Sequence, residues 1–155
     1  MASPETGGRL RRHALFFLVL AAAVAFRCYR LADESLWNDE TASILCMDAG
    51  SLREFIAQER LDDPAMVPLY FTLEYACWHA TNGSIVACRL MSIAFGLGAI
   101  VLLYAMGRRL FGSCAALVAA GCAAAAIQQV YYSQEIRMYA LYLFTAMAAM
   151  YAFHR

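Results

Sequence analysis

Two short stretches hold the side chains best suited to chemistry. In Leu36-Trp37-Asn38-Asp39-Glu40 two carboxylates stand side by side. Such a pair serves as a general base or holds a divalent cation, and mutual repulsion raises the proton affinity of one member. The same residues also suit a helix start, with Asn38 or Asp39 as the cap and the acids at the positive end of the dipole. The second stretch is Tyr131-Tyr132-Ser133-Gln134-Glu135-Ile136-Arg137-Met138-Tyr139. Here Ser133 suits a helix cap with Glu135 in the first turn, and Tyr131 and Tyr132 suit an interfacial aromatic belt. Arg137 is left over. An arginine at the mouth of a membrane span either snorkels to lipid headgroups or binds an anionic group. For Arg89 the expectation is snorkelling.

The elements that must position these residues follow from composition. Of 155 residues, 63% are hydrophobic and 15% charged, outside the range of soluble domains at both ends. An aromatic content of 13% excludes disorder. Twelve basic residues, all arginine, balance twelve acids and leave no basic field for nucleic acid. Six cysteines show no C-x-x-C spacing, so they are expected as small buried apolar residues rather than a disulfide framework or zinc site. The chain reads as an all-α integral membrane protein.

Four apolar runs, 14–31, 85–106, 114–131 and 138–153, are expected to span the membrane. The first is short. Its Arg9-Arg11-Arg12 flank and Ala23-Val24-Ala25 also resemble a cleavable signal, with a retained anchor the expectation. In the third, Ala115, Ala116, Ala119, Ala120 and Ala123 suit close helix contact. Arginines mark residues 1–13, the turn 107–113 and the tail 154–155, so these are expected on the cytoplasmic side. The turn 132–137 and the segment 32–84 are then outside. That segment carries ten acids against two arginines and is not a linker in composition. Two short interfacial helices are expected in it. One spans 51–61, with Leu52, Phe55 and Ile56 on the apolar side, Arg53, Glu54 and Glu59 on the other, and Pro64 as the stop. The second starts at Pro68 and reaches about His79, with Tyr70, Phe71, Tyr75 and Trp78 as interfacial aromatics. Asn82-Gly83-Ser84 reads as a turn, although it matches a glycosylation sequon. No acid lies within an apolar run, which argues against a transporter.

Trp37-Asn38-Asp39-Glu40-Thr41, Pro68-Leu69-Tyr70-Phe71, Arg108-Arg109-Leu110-Phe111-Gly112 and Tyr132-Ser133-Gln134-Glu135-Ile136-Arg137-Met138-Tyr139 occur in this order. The series resembles the N-terminal part of bacterial membrane glycosyltransferases of the GT-C superfamily. It is most similar to the protein O-mannosyltransferase-like enzymes of glycosyltransferase family 39, relatives of the lipid A aminoarabinose transferases. The resemblance implies a partial GT-C fold in the bacterial plasma membrane, with the active face extracytoplasmic. It implies inverting transfer of a hexose or pentose from a polyprenyl-phosphate donor to a lipid, polysaccharide or protein acceptor of the cell envelope. By the same resemblance Asp39 is the catalytic base and Glu40 orients it or contacts the acceptor. Glu135 completes the acidic pocket, Arg137 steadies the carrier phosphate, and Tyr132 lines the substrate site. Metal dependence varies among such enzymes; a divalent cation, if used, has Asp39 and Glu135 as candidate ligands. The chain departs from relatives in two places. Met66-Val67-Pro68 stands where they often have His-Pro-Pro, and Ile127-Gln128-Gln129-Val130 where they tend to have a proline-containing break. Relatives also carry many more spans, so the chain is expected to be a fragment, a truncated product or part of a split enzyme. The competing class is a noncatalytic four-span assembly protein that keeps the motifs as helix caps.

Overall fold

Apolar length alone decides the longest described helix, Ile85–Leu110. The computed structural model describes residues 4–33, 35–47, 49–62 and 66–154, and among these every regular element is helical. Glu34, Asp48, Asp63, Pro64 and Arg155, all used in the sequence reading, lie outside the described residues. In chain order the helices are α1 (Pro4–Cys28), α2 (Asn38–Cys46), α3 (Leu52–Asp62), α4 (Pro68–Ala80), α5 (Ile85–Leu110), α6 (Ser113–Ala125), α7 (Ile127–Gln134) and α8 (Tyr139–Phe153). Among the described residues α5 alone is long and apolar enough to cross a membrane as one straight helix. The apolar helix α8 is shorter, and α6 and α7 qualify only as a broken pair.

Local chemistry accounts for the boundaries of α5. Ser84 caps its start, accepting the Ala87 N–H at 3.3 Å. The preceding turn is the expected Asn82-Gly83-Ser84: Asn82 and Gly83 take positive φ, and the Gly83 N–H closes α4 on the Trp78 carbonyl at 2.9 Å. At the far end Gly112 turns the chain with φ 83°. Arg108 and Arg109 lie over the rings of Tyr104 and Tyr151 at 5.6 and 4.7 Å.

The third apolar run is not one helix, contrary to expectation. It breaks at Ala126 (φ −65°, ψ 116°), and α6 and α7 meet at a bend of 57°. A break without proline frees carbonyls inside an apolar layer, where each needs a donor. Arg27 supplies them. It is 1% exposed and donates from its guanidinium to the carbonyls of Ala123 and Ala124 at 3.4 and 3.2 Å. It also donates to Ser133 Oγ at 3.3 Å. The break is therefore held by an arginine from another helix.

The core has two parts. In one, Phe16 and Ala23 of α1 meet Ile100 and Tyr104 of α5 and the stripe Ala116, Ala120, Ala124 of α6. Four-residue spacing places these alanines on one face; Ala115, expected in the contact, is exposed. The other part lies beneath the segment between α1 and α5 and joins Met47, Phe55, Met66, Tyr70 and Phe71 to Met138 and Leu141. The segment forms three helices rather than two: α3 and α4 stand close to their expected bounds and α2 is additional, while Tyr70 and Phe71, expected as interfacial aromatics, are fully buried. Glu59, placed with the polar side, is 2% exposed because it follows Phe55 by four residues on the same face. None of the six cysteines is in a disulfide. Cys46 and Cys88 are buried as expected, whereas Cys28, Cys114 and Cys122 are exposed.

Candidate active site

The two motifs are brought together by Glu40. Trp37, extended at φ −75° and ψ 160°, is the residue before the first helical position of α2, so neither Asn38 nor Asp39 takes the cap place. Glu40, in the first turn, reaches back to accept the Trp37 N–H at 3.1 Å with Oε2. Its Oε1 accepts the Ile136 N–H at 2.6 Å, across the chain in the turn between α7 and α8. Arg89 completes the arrangement. It is 2% exposed, pairs with Glu40 Oε2 at 3.4 Å and donates to the Leu31 carbonyl at 2.7 Å. The expected snorkelling is overturned, because an internal carboxylate and carbonyl satisfy the guanidinium better than distant headgroups.

Ser133 does not cap α8. It lies in the last turn of α7, donating to the Gln129 carbonyl at 2.6 Å, and α8 begins at Tyr139. Gln134 ties the end of α1 to this turn through the carbonyls of Arg27 and Tyr29 at 2.9 and 3.1 Å. With both motifs pinned, Asp39, Glu40, Tyr132, Glu135 and Arg137 line one cavity of about 230 Å³, with Trp37, Tyr131 and Tyr139 as its aromatic walls. Trp37 meets Tyr131 edge-on at 5.9 Å, and Tyr132 leans on Tyr139 at 4.9 Å. All five residues singled out from sequence are thus at one place.

Their environments differ. Asp39 is open, its side chain 69% exposed, and pairs with Arg137 Nη2 at 3.4 Å. Arg137 is largely enclosed. Its Nη1 donates to Ser43 Oγ at 3.5 Å and its guanidinium carbon lies 5.9 Å from the Phe71 ring. Glu135 is half-buried, and burial raises its proton affinity above that of an ordinary carboxyl; a hydrogen bond from Tyr131 and the charge of Arg137 oppose the rise, while Glu40 and Asp39 add to it. Arg89, Ser43, Glu59 and Glu74 complete the surroundings, and sequence reasoning missed their part. The available signal was helical spacing: Ser43 follows Glu40 by three residues, and Glu74 follows Phe71 by three. Among the described residues no group of three or more His, Cys, Asp or Glu side chains is arranged to hold a metal ion. Asp39 and Glu135 share the cavity with a guanidinium, so they do not by themselves make a cation cage.

The site lies at one end of α5, where Arg89 is, and Arg108 lies nineteen residues further on. At 1.5 Å per residue that separation is about 28 Å, close to the hydrocarbon thickness of a bilayer. The site is thus an acidic cavity with an enclosed guanidinium at one end of a long apolar helix. The chain belongs to the dolichyl-phosphate-mannose-protein mannosyltransferase family, which it matches over residues 62–155. No curated protein and no solved structure matches it. The family carries a glycosyltransferase-type membrane function, with a lipid-linked sugar as donor. The matched region includes Arg89, Tyr132, Glu135 and Arg137, while Asp39 and Glu40 precede it.

Proposed function

We propose that this protein transfers a sugar, with inversion, from a polyprenyl-phosphate-linked donor to an acceptor hydroxyl on the extracytoplasmic face. The observation that carries the reading is the Asp39–Arg137 pair at 3.4 Å in a cavity that also holds Glu135 and Tyr132. Asp39 is the base. It accepts the proton of the acceptor hydroxyl as the oxygen attacks the anomeric carbon, and the bond from that carbon to the phosphate oxygen breaks. The electron pair leaves with the phosphate, whose growing charge Arg137 stabilises. Donor phosphate and Asp39 compete for one guanidinium, so donor binding loosens the ion pair and frees the carboxylate for proton transfer. Glu40 does not reach the acceptor in this reading, since both its oxygens are engaged; it orients the Asp39 turn. A cleft of about 370 Å³, lined by Phe26, Ile127 and Val130, shares Tyr131 with the acidic cavity and suits the isoprenoid chain.

In the same reading α1, α5, the broken α6–α7 pair and α8 cross the bilayer, and the turn at Arg108-Arg109 is cytoplasmic. Support comes from the arginine distribution and from the spacing of Arg89 and Arg108 along α5. The deciding experiment is sugar transfer from a polyprenyl-phosphate sugar in proteoliposomes, with Asp39→Asn as the comparison. Transfer lost with an unchanged melting temperature is the expected result. Full transfer by the variant removes Asp39 from the reaction, and loss of stability without any transfer by the parent favours a noncatalytic assembly role.

A further inference from the structure

Behind Arg137 the site continues into a buried acidic layer that the transfer chemistry does not use. Ser43 Oγ accepts from Arg137 Nη1 at 3.5 Å and donates to Glu59 Oε2 at 3.3 Å. Glu74 is also buried, with no solvent exposure and no hydrogen-bond partner at either carboxyl oxygen. Arg137 has a buried, unpartnered group of its own, Nε. Phe71 connects the two. Its ring faces the guanidinium at 5.9 Å, and Glu74 follows it by three residues on the same side of α4. An acid without a donor and an N–H without an acceptor are thus both buried, on residues within electrostatic reach of each other.

A carboxylate without donors is costly away from water, and the neutral acid much less so. The groups acting on Glu74 come from every side: Glu59 on α3, Glu40 on α2, Arg137 in the α7–α8 turn, with Tyr70 on its own helix and Cys88 on α5 sensing it in turn. Burial is the largest influence, the two glutamates add to it, and Arg137 alone opposes. Arg137 already shares its charge with Asp39 through Nη2, and Arg89 with Glu40, so the charge of each cation is drawn to another carboxylate.

We propose that Glu74 is a positioning residue for Arg137 that works in its protonated form. Neutral, it leaves the guanidinium directed at Asp39 and the cavity. Ionised, it draws the guanidinium inward and removes it from an anionic group bound there. The proposal rests on the reading of Arg137 as the residue that holds the donor phosphate, and it adds a pH-dependent device to that grip.

Two measurements on the full chain in detergent test it. Infrared difference spectra are expected to contain a protonated-carboxyl band at neutral pH that is missing in Glu74→Gln and in Glu74→Met, the latter retained in case the glutamine variant misfolds. Binding of a polyprenyl monophosphate is then followed at pH values above those at which the ligand itself titrates. Parent affinity is expected to fall about tenfold per pH unit once Glu74 ionises, while the variants stay level. A parent spectrum without that band, or an affinity whose pH dependence is the same in the variants, overturns the proposal. Absence of phosphate binding by all three proteins at every pH rejects Arg137 as the phosphate residue, and the proposal with it. That pattern is distinct from binding whose pH dependence survives the substitutions.

Discussion

Glu40 Oε1 accepts the backbone N–H of Ile136 at 2.6 Å, joining positions 96 residues apart. A charged acceptor makes the stronger kind of hydrogen bond, and this one fixes the Tyr-Ser-Gln-Glu motif against the Asp-Glu motif. The carboxylate can be buried there because Arg89 neutralises it and two backbone N–H groups fill its remaining lone pairs.

Removing Glu40 leaves the Arg89 guanidinium buried beside a void. Glu40→Ala is expected to cost roughly 3–5 kcal/mol, the range for breaking a buried pair from one side. Glu40→Gln keeps the shape and costs less. Thermal melts in detergent check both, and the double variant Glu40→Ala, Arg89→Met is expected to lose less than the sum of its parts. Strict additivity would mean that the two side chains are not coupled.

Close packing between α5 and its neighbours makes a second prediction. A Cβ on Gly96 would strike Ser133 Oγ, which is tied to Gln129 and Arg27 and has little room to move. Gly96→Ala is expected to destabilise by about 1–3 kcal/mol. Gly121 lies in α6 with nothing within 4 Å of an added Cβ, so Gly121→Ala is expected to be neutral or stabilising by up to about 1 kcal/mol. Paired melts of the two variants test the contrast.

Asp39 separates stability from activity. Its side chain is 69% exposed, so the pair with Arg137 is worth at most about 1 kcal/mol. A general base contributes about 10²–10⁴-fold in rate. Asp39→Asn is therefore expected to melt within a degree or two of the parent and to transfer sugar at least about a hundredfold more slowly. A large drop in melting temperature would assign Asp39 to the fold instead.

Sequence reading reached the helical class and the starts of α4 and α5, because each rests on local chemistry; the residues that line the cavity were singled out through the family resemblance. Pro68 presets the first turn of α4, and Ser84 caps α5 after a turn at Gly83. The fates of the arginines were not legible. Arg27 and Arg89 sit near the ends of apolar runs, where snorkelling is the default, and only the fold shows that carbonyls of α6 and the Glu40 carboxylate lie within reach. Pairwise spacing likewise placed Glu59 with its charged neighbours Arg53 and Glu54, although its distance from Phe55 puts it inside. The bend at Ala126 has no local signal, since its determinant is an arginine nearly a hundred residues away.

Glu74 gives stability its pH dependence. Burial, with Glu59 and Glu40 adding repulsion, holds its carboxyl well above the usual carboxylate range in the folded chain, and unfolding returns it to that range. The folded state therefore binds the proton more tightly than the unfolded state does. The stabilising contribution is fully present below the ordinary carboxylate pKa and is lost as pH rises toward and through the raised folded-state value, by up to about 1.4 kcal/mol per pH unit. Glu74→Met has no proton to lose and, with no hydrogen bond to forfeit, is expected to melt higher than the parent at pH 8. At pH 4 the advantage shrinks, because the parent acid is then neutral in both states. Melting curves of the two proteins at pH 4, 6 and 8 decide the matter: a difference that stays constant across the series would mean that Glu74 does not titrate between its folded and unfolded values.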